Sequence, residues 1–247
     1  MGLLITGNAA KLYCLNRIER FIHERKSNEF TILDLGCGTA HGFTSLLRQY
    51  PQVRYVGVEP LVSSFEQAQR NLAGLNGTVI KAYAYGIDQE LNEKFDVVVS
   101  FSTFEHVYRR AEYLRVVKAC LKPDGYFLIN YDAGHFRRGG LRDKAKNVIG
   151  PILAHLGEER YYQMFVSEQD FTRLVEEAGL SIVEAKFFNS DLKGIYKIVP
   201  EASRDSYMQK WLDFEIWLNE QGIVYSDKLA GTFMTRNFII THKQSAR

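Results

Sequence analysis

Residues 30–42, FTILDLGCGTAHG, combine an apolar run with an acidic residue and closely spaced glycines. Asp34 stands near the end of the run, and Gly36 and Gly38 follow it, so the backbone can turn tightly and approach a ligand closely. Glu59 ends the next apolar run, where a carboxylate can accept hydrogen bonds from both hydroxyls of a ribose. The residue types and their order therefore predict a nucleotide-binding site.

Two nucleotide cofactors, NAD and S-adenosylmethionine, fit this pattern. The dinucleotide fingerprint G-x-G-x-x-G needs a third glycine where this chain has His41, and Gly42 comes one residue late. Asp34 would repel a pyrophosphate at the start of the following helix, whereas it suits a ligand with an ammonium and a sulfonium group. The loop therefore favours S-adenosylmethionine over NAD.

Strand and helix patterns alternate through the first half of the chain and must position these residues. Short links between them predict a parallel sheet with helices on both faces. Ser167 is the expected N-cap of a later helix, with Asp170 at its third position. The predicted strands are 30–35, 54–59, 78–83, 95–101, 126–131, the segment after Gly179, and 232–243; the predicted helices are 9–26, 41–49, 62–73, 108–121, the segment after Ser167, and much of 191–230.

Four motifs in order, ILDLGCGTAHG, VGVEP, FDVVVSFSTFEHV and CLKPDGYFLIN, resemble those of class I S-adenosylmethionine-dependent methyltransferases. The match covers about residues 30–131, and the last two predicted strands resemble the end of that family. The resemblance implies an α/β fold with a doubly wound, seven-stranded, mainly parallel sheet, the Rossmann-like methyltransferase fold. Its last strand is expected to lie antiparallel between the fifth and sixth.

A single domain over 1–247 is expected, with helical insertions that form a lid on the acceptor side. The expected core is 28–131, 167–190 and 231–243, and the expected insertions are 132–166 and 191–230.

Carried over position by position, the resemblance implies roles for the first two motifs. Asp34, Gly36 and Gly38 would line the methionine part of the cofactor, with Asp34 balancing its positive charge and Cys37 filling the loop between the glycines. Glu59 would hold the ribose.

The adenine site departs from the family pattern. The resemblance places Pro60 and Leu61 beside the adenine and Ser100 and Phe101 against the cofactor beyond the fourth strand. Many relatives also carry an acidic residue after the third strand, which binds the adenine amine. Here Tyr83 and Ala84 occupy that region. We therefore expect backbone groups and a stacking tyrosine to recognise the adenine.

Methyl transfer is an in-line displacement, and an alcohol or phenol acceptor needs a base to take its proton. His106 follows the fourth strand, where the transferred methyl would emerge, and His135 follows the fifth. Either imidazole could act as the base near neutral pH. Alternatively, His106 and Glu105 only orient the helix that follows them.

The acceptor is expected to contact residues at and beyond the end of the fifth strand. Tyr131 and Asp132 end that strand, and Arg137 and Arg138 begin a basic cluster. The cluster is either a solvated face or a site for an anionic acceptor, such as a phosphate- or nucleotide-linked sugar, or for an anionic membrane surface.

Composition narrows the class of partner. The formal net charge is +2 over 247 residues, which argues against DNA or RNA as the main partner. Three widely spaced cysteines suggest reduced thiols in the cytoplasm, and no Cys/His spacing predicts a metal site.

The sequence thus predicts a methyltransferase that converts S-adenosylmethionine to S-adenosylhomocysteine and methylates a small-molecule or glycan-precursor acceptor. Oxygen is favoured over nitrogen as the methylated atom. The alternatives are an RNA or protein methyltransferase and a non-catalytic cofactor-binding protein, with a nicotinamide oxidoreductase further behind. The acceptor and the oligomeric state are left open.

Overall fold

The computed structural model describes residues 7–25, 29–133, 149–189, 192–229 and 231–243. Within them, helices and strands alternate through the first half of the chain as predicted. Residues 149–155 are also helical. The strands are β1 (Phe30–Leu35), β2 (Val53–Val58), β3 (Gly77–Ile80), β4 (Phe95–Phe101), β5 (Leu121–Asp132), β6 (Leu180–Phe188) and β7 (Thr235–His242). The other helices are α1 (Ala9–Glu24), α2 (Thr44–Gln49), α3 (Val62–Leu72), α4 (Ile87–Leu91), α5 (Arg110–Cys120), α6 (Glu168–Glu177), α7 (Lys193–Ile198) and α8 (Arg204–Glu220).

The seven strands form one sheet in the order β3-β2-β1-β4-β5-β7-β6. β1 is parallel to β2 and to β4, whereas β7 is antiparallel to both β5 and β6. The predicted seven-stranded fold with an antiparallel last strand is therefore confirmed. Strand order reverses between β1 and β4, so a crevice opens beyond their carboxyl ends, where doubly wound folds bind ligands.

Most elements begin or end within a few residues of the predicted boundaries, and for three of them the structure shows the reason for the difference. β3 ends at Ile80 because the chain leaves the sheet edge there and enters the loop that reaches Tyr85. β5 begins at Leu121, ahead of the turn expected at Pro123, and an irregularity in its register with β4 accommodates the proline. The helix predicted over 41–49 is divided into a 3-10 turn at His41–Phe43 and α2.

β1 and β4 are buried along their whole length, as their continuous apolar runs predict. Ile32 of β1 packs in a cluster that includes Ile18 of α1. Leu33 points to the opposite face and packs in the cluster that includes Leu114 of α5. Burial on both faces holds the carboxyl ends of these two strands in a fixed relation to each other.

The insertion over 191–230 packs largely against α1. Trp211 and Met208 of α8 share a buried cluster with Tyr13 of α1 and with Phe188 at the end of β6. The predicted helical character of this insertion is borne out in its described part, and its aromatic stripe is divided between the buried Trp211 and the exposed Trp217. Among the described residues, no helix has the length and apolarity that crossing a membrane requires.

Asp96 lies near the amino end of β4, at the end of the sheet opposite the crevice. Its side chain contacts β1, β5 and the residue that follows α1. Its side chain is 2% exposed, and both the amide and the hydroxyl of Thr31 donate to it at 2.8 Å. Lys122 at the start of β5 pairs with it at 2.9 Å, and Arg25 after α1 also pairs with it. Burial alone would raise the pKa of Asp96, but Lys122, Thr31 and Arg25 together hold it below the ordinary value.

We expect Asp96→Ala to lower the free energy of unfolding by about 3 kcal/mol, because Lys122 and Arg25 lose a buried partner. The depressed pKa means that the contribution of Asp96 is present above the ordinary carboxyl pKa, about 4, and is lost as the pH falls below it. Urea unfolding at pH 7.5 and at a series of lower pH values measures both effects. Asp124→Ala is the matched control, because this exposed carboxylate also pairs with Arg25 and should change stability by less than about 1 kcal/mol. Equal losses in the two variants would contradict the assignment.

Candidate active site

A cavity of about 610 Å³ opens at the carboxyl ends of β1, β2 and β4, within the size range of small-molecule sites. The loops that follow β1, β2, β3 and β4 form its walls. The insertion between β5 and α6 contributes Glu159 and Arg160, and α1 contributes Lys11. Of the residues predicted to bind the cofactor, the lining includes Gly36, Cys37, Gly38, Glu59, Pro60, Tyr83, Ala84 and Phe101, and also Leu61.

The loop after β1 is shaped by its glycines. Gly36 has φ +83°, and a Cβ there would lie 2.5 Å from the side chain of Thr103. Gly38 has φ +55°, and no described atom lies within 4 Å of the position of its missing Cβ. The first glycine thus lets β1 and β4 approach closely, and the second leaves open space in the cavity for a ligand.

Glu59 ties the first loop to the second. It is 6% exposed; one carboxylate oxygen accepts from the amide of Gly38 at 2.9 Å, and the other accepts from the amide of Leu61 at 2.9 Å. A carboxylate has about four lone-pair sites, so Glu59 retains the capacity to accept from two ligand hydroxyls. The geometry therefore fits the predicted ribose contact.

Asp34 is a buried carboxylate, and only one of its two oxygens accepts a hydrogen bond from a described residue. Tyr55 donates to Oδ2 at 2.8 Å, while Oδ1 is buried and has no hydrogen-bond partner among the described residues. Asp34 borders a second cavity of about 30 Å³, together with Lys11 and Gly36, and Gly36 also lines the large one. Burial raises the pKa of Asp34 to about 7, against the opposing effects of the Tyr55 hydrogen bond and the Lys11 charge. A buried, unsatisfied carboxylate oxygen of this kind is suited to an ammonium group.

Ser100, expected to contact the cofactor, lies fully buried and accepts a hydrogen bond from the hydroxyl of Tyr113 at 2.8 Å. Ser102 and Thr103 line the cavity beyond β4 in its place. Ser102 has φ +55°, so the chain leaves the extended conformation here, and a period-two pattern does not predict which side chain faces the cavity.

His106 lies on a 3-10 turn directly after β4 (Phe104–His106), and its exposed ring lines the cavity. Nδ1 lies 2.9 Å from the carbonyl oxygen of Tyr162. Because a carbonyl only accepts hydrogen bonds, we assign the proton of the neutral imidazole to Nδ1 and the lone pair to Nε2. His106 is therefore placed and oriented as a base could be.

The residues expected to face the acceptor are distributed differently from the prediction. Tyr131 is fully buried in the core, where its ring centroid lies 5.1 Å from that of Phe171, and burial raises the pKa of its hydroxyl. Strand alternation puts Tyr131 on the same face as Ile129, which belongs to the same cluster, so the expected acceptor contact is wrong for this side chain. Asp132 ends β5 and is half-buried. His135, Arg137 and Arg138 lie outside the described residues.

Several residues of the lining carry no sequence motif. They come from α1, α3, α5, the loop after β3 and the insertion, and only packing brings them to the cavity: Lys11, Ser64, Tyr85, Tyr113, Glu159 and Arg160. Within the described part of the chain, His, Cys, Asp and Glu side chains form no group of three that could hold a metal ion.

We expect Asp34→Asn to stabilise the ligand-free protein at pH 8 by on the order of 2 kcal/mol, because the carboxylate is ionised there at a buried position. The raised pKa means that Asp34 contributes stability below the ordinary carboxyl pKa, about 4, which is lost as the pH rises through about 7. Thermal and urea unfolding of both proteins between pH 5 and pH 8 measure this. An amide oxygen still accepts from Tyr55, so a lower stability of the variant at pH 8 would contradict the electrostatic account.

Comparison with known proteins agrees with the geometry. Residues 8–185 match a family model described as a methyltransferase domain. The ubiquinone biosynthesis O-methyltransferase of Methylobacterium nodulans is 28% identical over 163 residues, which cover 62% of this chain and 61% of that protein. The malonyl-[acyl-carrier protein] O-methyltransferase of Brevibacillus brevis is 33% identical over 161 residues, which cover 62% of this chain and 55% of that protein. The matched part thus spans about three fifths of these relatives.

Solved structures share the fold at low sequence identity. The plantazolicin methyltransferase BamL, in complex with a substrate analogue and S-adenosylhomocysteine, aligns with a TM-score of 0.60 and 14% identity over 95% of this chain and 85% of that one. The family model covers well over half of the chain, and Asp34, Glu59 and the glycine loop fit S-adenosylmethionine as the cofactor. The chain belongs to the class I S-adenosylmethionine-dependent methyltransferases.

Proposed function

We propose that this methyltransferase transfers the methyl group to an oxygen atom of a small organic acceptor, and that His106 takes the acceptor's proton. The observation that carries the proposal is the orientation of His106 on the cavity wall. Its Nδ1 proton is engaged by the carbonyl of Tyr162, so Nε2 is the nitrogen that can accept a proton. The two O-methyltransferases named above support an oxygen acceptor.

S-adenosylmethionine supplies a methyl group that its sulfonium activates for displacement, and the protein supplies placement and a dry site. We propose that Asp34 Oδ1 holds the ammonium group and Glu59 the ribose hydroxyls. Gly36, Cys37, Gly38 and Phe101 then form the wall along the methionine part, and Pro60, Leu61, Tyr83 and Ala84 lie beside the adenine. These assignments require no change in the positions of the described side chains.

The proposed reaction needs one proton transfer at a stated atom. The acceptor hydroxyl gives its proton to Nε2 of His106, the new O–C bond forms as the S–C bond breaks, and S-adenosylhomocysteine leaves as a neutral thioether. An amine acceptor would need no such base, since its neutral form already has a lone pair. A base on the cavity wall therefore favours a hydroxyl or phenol acceptor over an amine, and also over a carboxylate, which is already ionised near neutral pH.

We propose that the acceptor is anionic or carries an anionic group. Arg137 and Arg138 follow β5 in the sequence, directly after the strand end at which the acceptor is expected. A small molecule or a glycan precursor with a phosphate or carboxylate fits this charge. Protein and RNA acceptors, and binding without catalysis, are the competing functions.

A screen for the acceptor atom tests this function directly. The protein is incubated with S-adenosylmethionine carrying a carbon-13 methyl group and with panels of phenols, sugar phosphates, carboxylic acids, amines, peptides and RNA. Formation of S-adenosylhomocysteine identifies acceptors, and the chemical shift of the labelled methyl identifies the atom. A methoxyl product supports the proposal, a methyl ester supports the oxygen acceptor but overturns the role of His106 as base, and methylation only at nitrogen or carbon overturns the proposal as a whole.

We expect His106→Asn to lower kcat by about a hundredfold or more with little change in cofactor affinity, the usual size of a general-base contribution. The asparagine amide can still donate to the carbonyl of Tyr162, so the turn keeps its hydrogen bond. Steady-state kinetics with an acceptor measure kcat, and calorimetric titration measures the affinity for S-adenosylhomocysteine.

His155→Asn is the matched control, because this exposed histidine contacts Tyr108 rather than the cavity. Its kcat should equal that of the parent. Unchanged turnover in His106→Asn would remove His106 as the base, and a loss in His135→Gln would then identify the other candidate.

We expect the affinity for S-adenosylhomocysteine to fall below about pH 7, because Asp34 must give up its proton before it can pair with the ligand's ammonium group. The dissociation constant should rise by up to about tenfold per pH unit below that value and stay level above pH 8. Calorimetric titration at pH 6, 7 and 8 measures this. Asp34→Asn should bind at least about tenfold more weakly at pH 8 and lose the pH dependence. An equal slope in both proteins would contradict the role of Asp34.

A further inference from the structure

The insertion between β5 and α6 closes one end of the cavity with a short turn, Glu159–Tyr161. The hydroxyl of Tyr85 donates to Glu159 Oε2 at 2.7 Å, and Arg109 Nε lies 3.4 Å from Oε1. Glu159 lines the cavity, and its side chain is 11% exposed. A carboxylate from a distant part of the chain is thus held at the wall that the loop after β3 forms.

This end of the cavity is where the cofactor's adenine belongs. Asp34 marks the methionine end and Glu59 marks the ribose, so the base must extend from Glu59 away from Asp34. In that direction the lining consists of Leu61 after β2 and of Tyr83 and Tyr85 after β3. Glu159 contacts this same wall through Tyr85.

The loop after β3 has no acid that could bind the adenine amine, because residues 81–86 read KAYAYG. The next acid along the chain, Asp88, pairs with Arg115 at 3.2 Å and does not line the cavity, and neither does Glu158. Among the described residues, Glu159 is therefore the carboxylate that lines the cavity at this wall. Each of its oxygens accepts one hydrogen bond within the described part of the chain, which leaves lone pairs for a ligand N–H.

We propose that Glu159 accepts a hydrogen bond from the exocyclic amine of the cofactor's adenine and so selects adenosine over other nucleosides. The proposal concerns the cofactor and goes beyond the acceptor chemistry proposed above. A carboxylate only accepts hydrogen bonds, so it attracts the C6 amine of adenine and repels the C6 carbonyl of hypoxanthine. Replacement of the amine by a carbonyl should therefore cost affinity.

Tyr85 and Arg109 act as positioning residues for this carboxylate. The Arg109 guanidinium lies 3.8 Å from the centroid of the Tyr85 ring, and the Tyr83 ring stacks beside it at 6.3 Å. The ring of Tyr85 is thereby held between a cation and a second aromatic side chain. Its hydroxyl and the Arg109 guanidinium each hold one oxygen of Glu159, which fixes the plane of the carboxylate.

The test compares two ligands that differ only in the base, S-adenosylhomocysteine and S-inosylhomocysteine. Calorimetry on the intact chain gives both dissociation constants for the parent, Glu159→Gln, Glu159→Ala and Glu158→Gln. Glu158 is the matched control, because it has the same charge on the same turn and caps the amide of Arg160. Binding without an acceptor keeps this result independent of the acceptor atom and of His106.

The parent should prefer S-adenosylhomocysteine, and Glu159→Gln should reduce that preference by roughly tenfold, since an amide can donate to a C6 carbonyl. Glu159→Ala should also reduce the ratio between the two dissociation constants, and Glu158→Gln should leave that ratio unchanged. A purely structural role for Glu159 would weaken both ligands equally and keep their ratio, which would overturn the proposal. No preference in the parent, or the same narrowing in Glu158→Gln, would also overturn it. Melting curves without ligand confirm that each variant is folded.

Discussion

The burial of Asp34 at the carboxyl end of β1 is the constraint on which the rest of the site depends. The strand is covered on both faces, so water cannot solvate the carboxylate, and Tyr55 satisfies only one of its oxygens. Without a cationic partner, an ionised carboxylate at this buried position lowers the stability of the folded protein. In its proposed role, pairing with the cofactor's ammonium group would recover the stability that the buried carboxylate costs the ligand-free protein.

Hydrogen bonds between the loops fix the positions of the other cavity walls relative to that carboxylate. Glu59 accepts from the amides of Gly38 and Leu61, which connects the loops after β1 and β2. His106 contacts the carbonyl of Tyr162 and Tyr85 donates to Glu159, and these are two of several contacts that attach the insertion to the core. The same segment thus orients the proposed base and closes the adenine end. Acceptor chemistry and cofactor selectivity would then be built from one insertion.

Those parts of the fold whose information is local could be predicted. Continuous apolar runs predict strands covered on both faces, as β1 and β4 are, and the Ser167 cap predicted the start of α6 correctly. Prediction was less accurate where the contact between two elements determines a boundary or the direction of a side chain. β5 begins early because an irregular pairing with β4 tolerates Pro123, and Tyr131 is turned into the core by the packing of Phe171.

The sequence by itself determined the cofactor loop, because Asp34, Gly36, Gly38 and Glu59 lie in two short motifs whose backbone needs are local. Only the tertiary structure decided which residues complete the cavity. Lys11 precedes the motifs on a separate helix, and Glu159 follows them in an insertion with no periodic signal. Their positions depend on long-range contacts, such as the hydrogen bond between Tyr85 and Glu159, and the spacing of residues along the chain carries no information about such contacts.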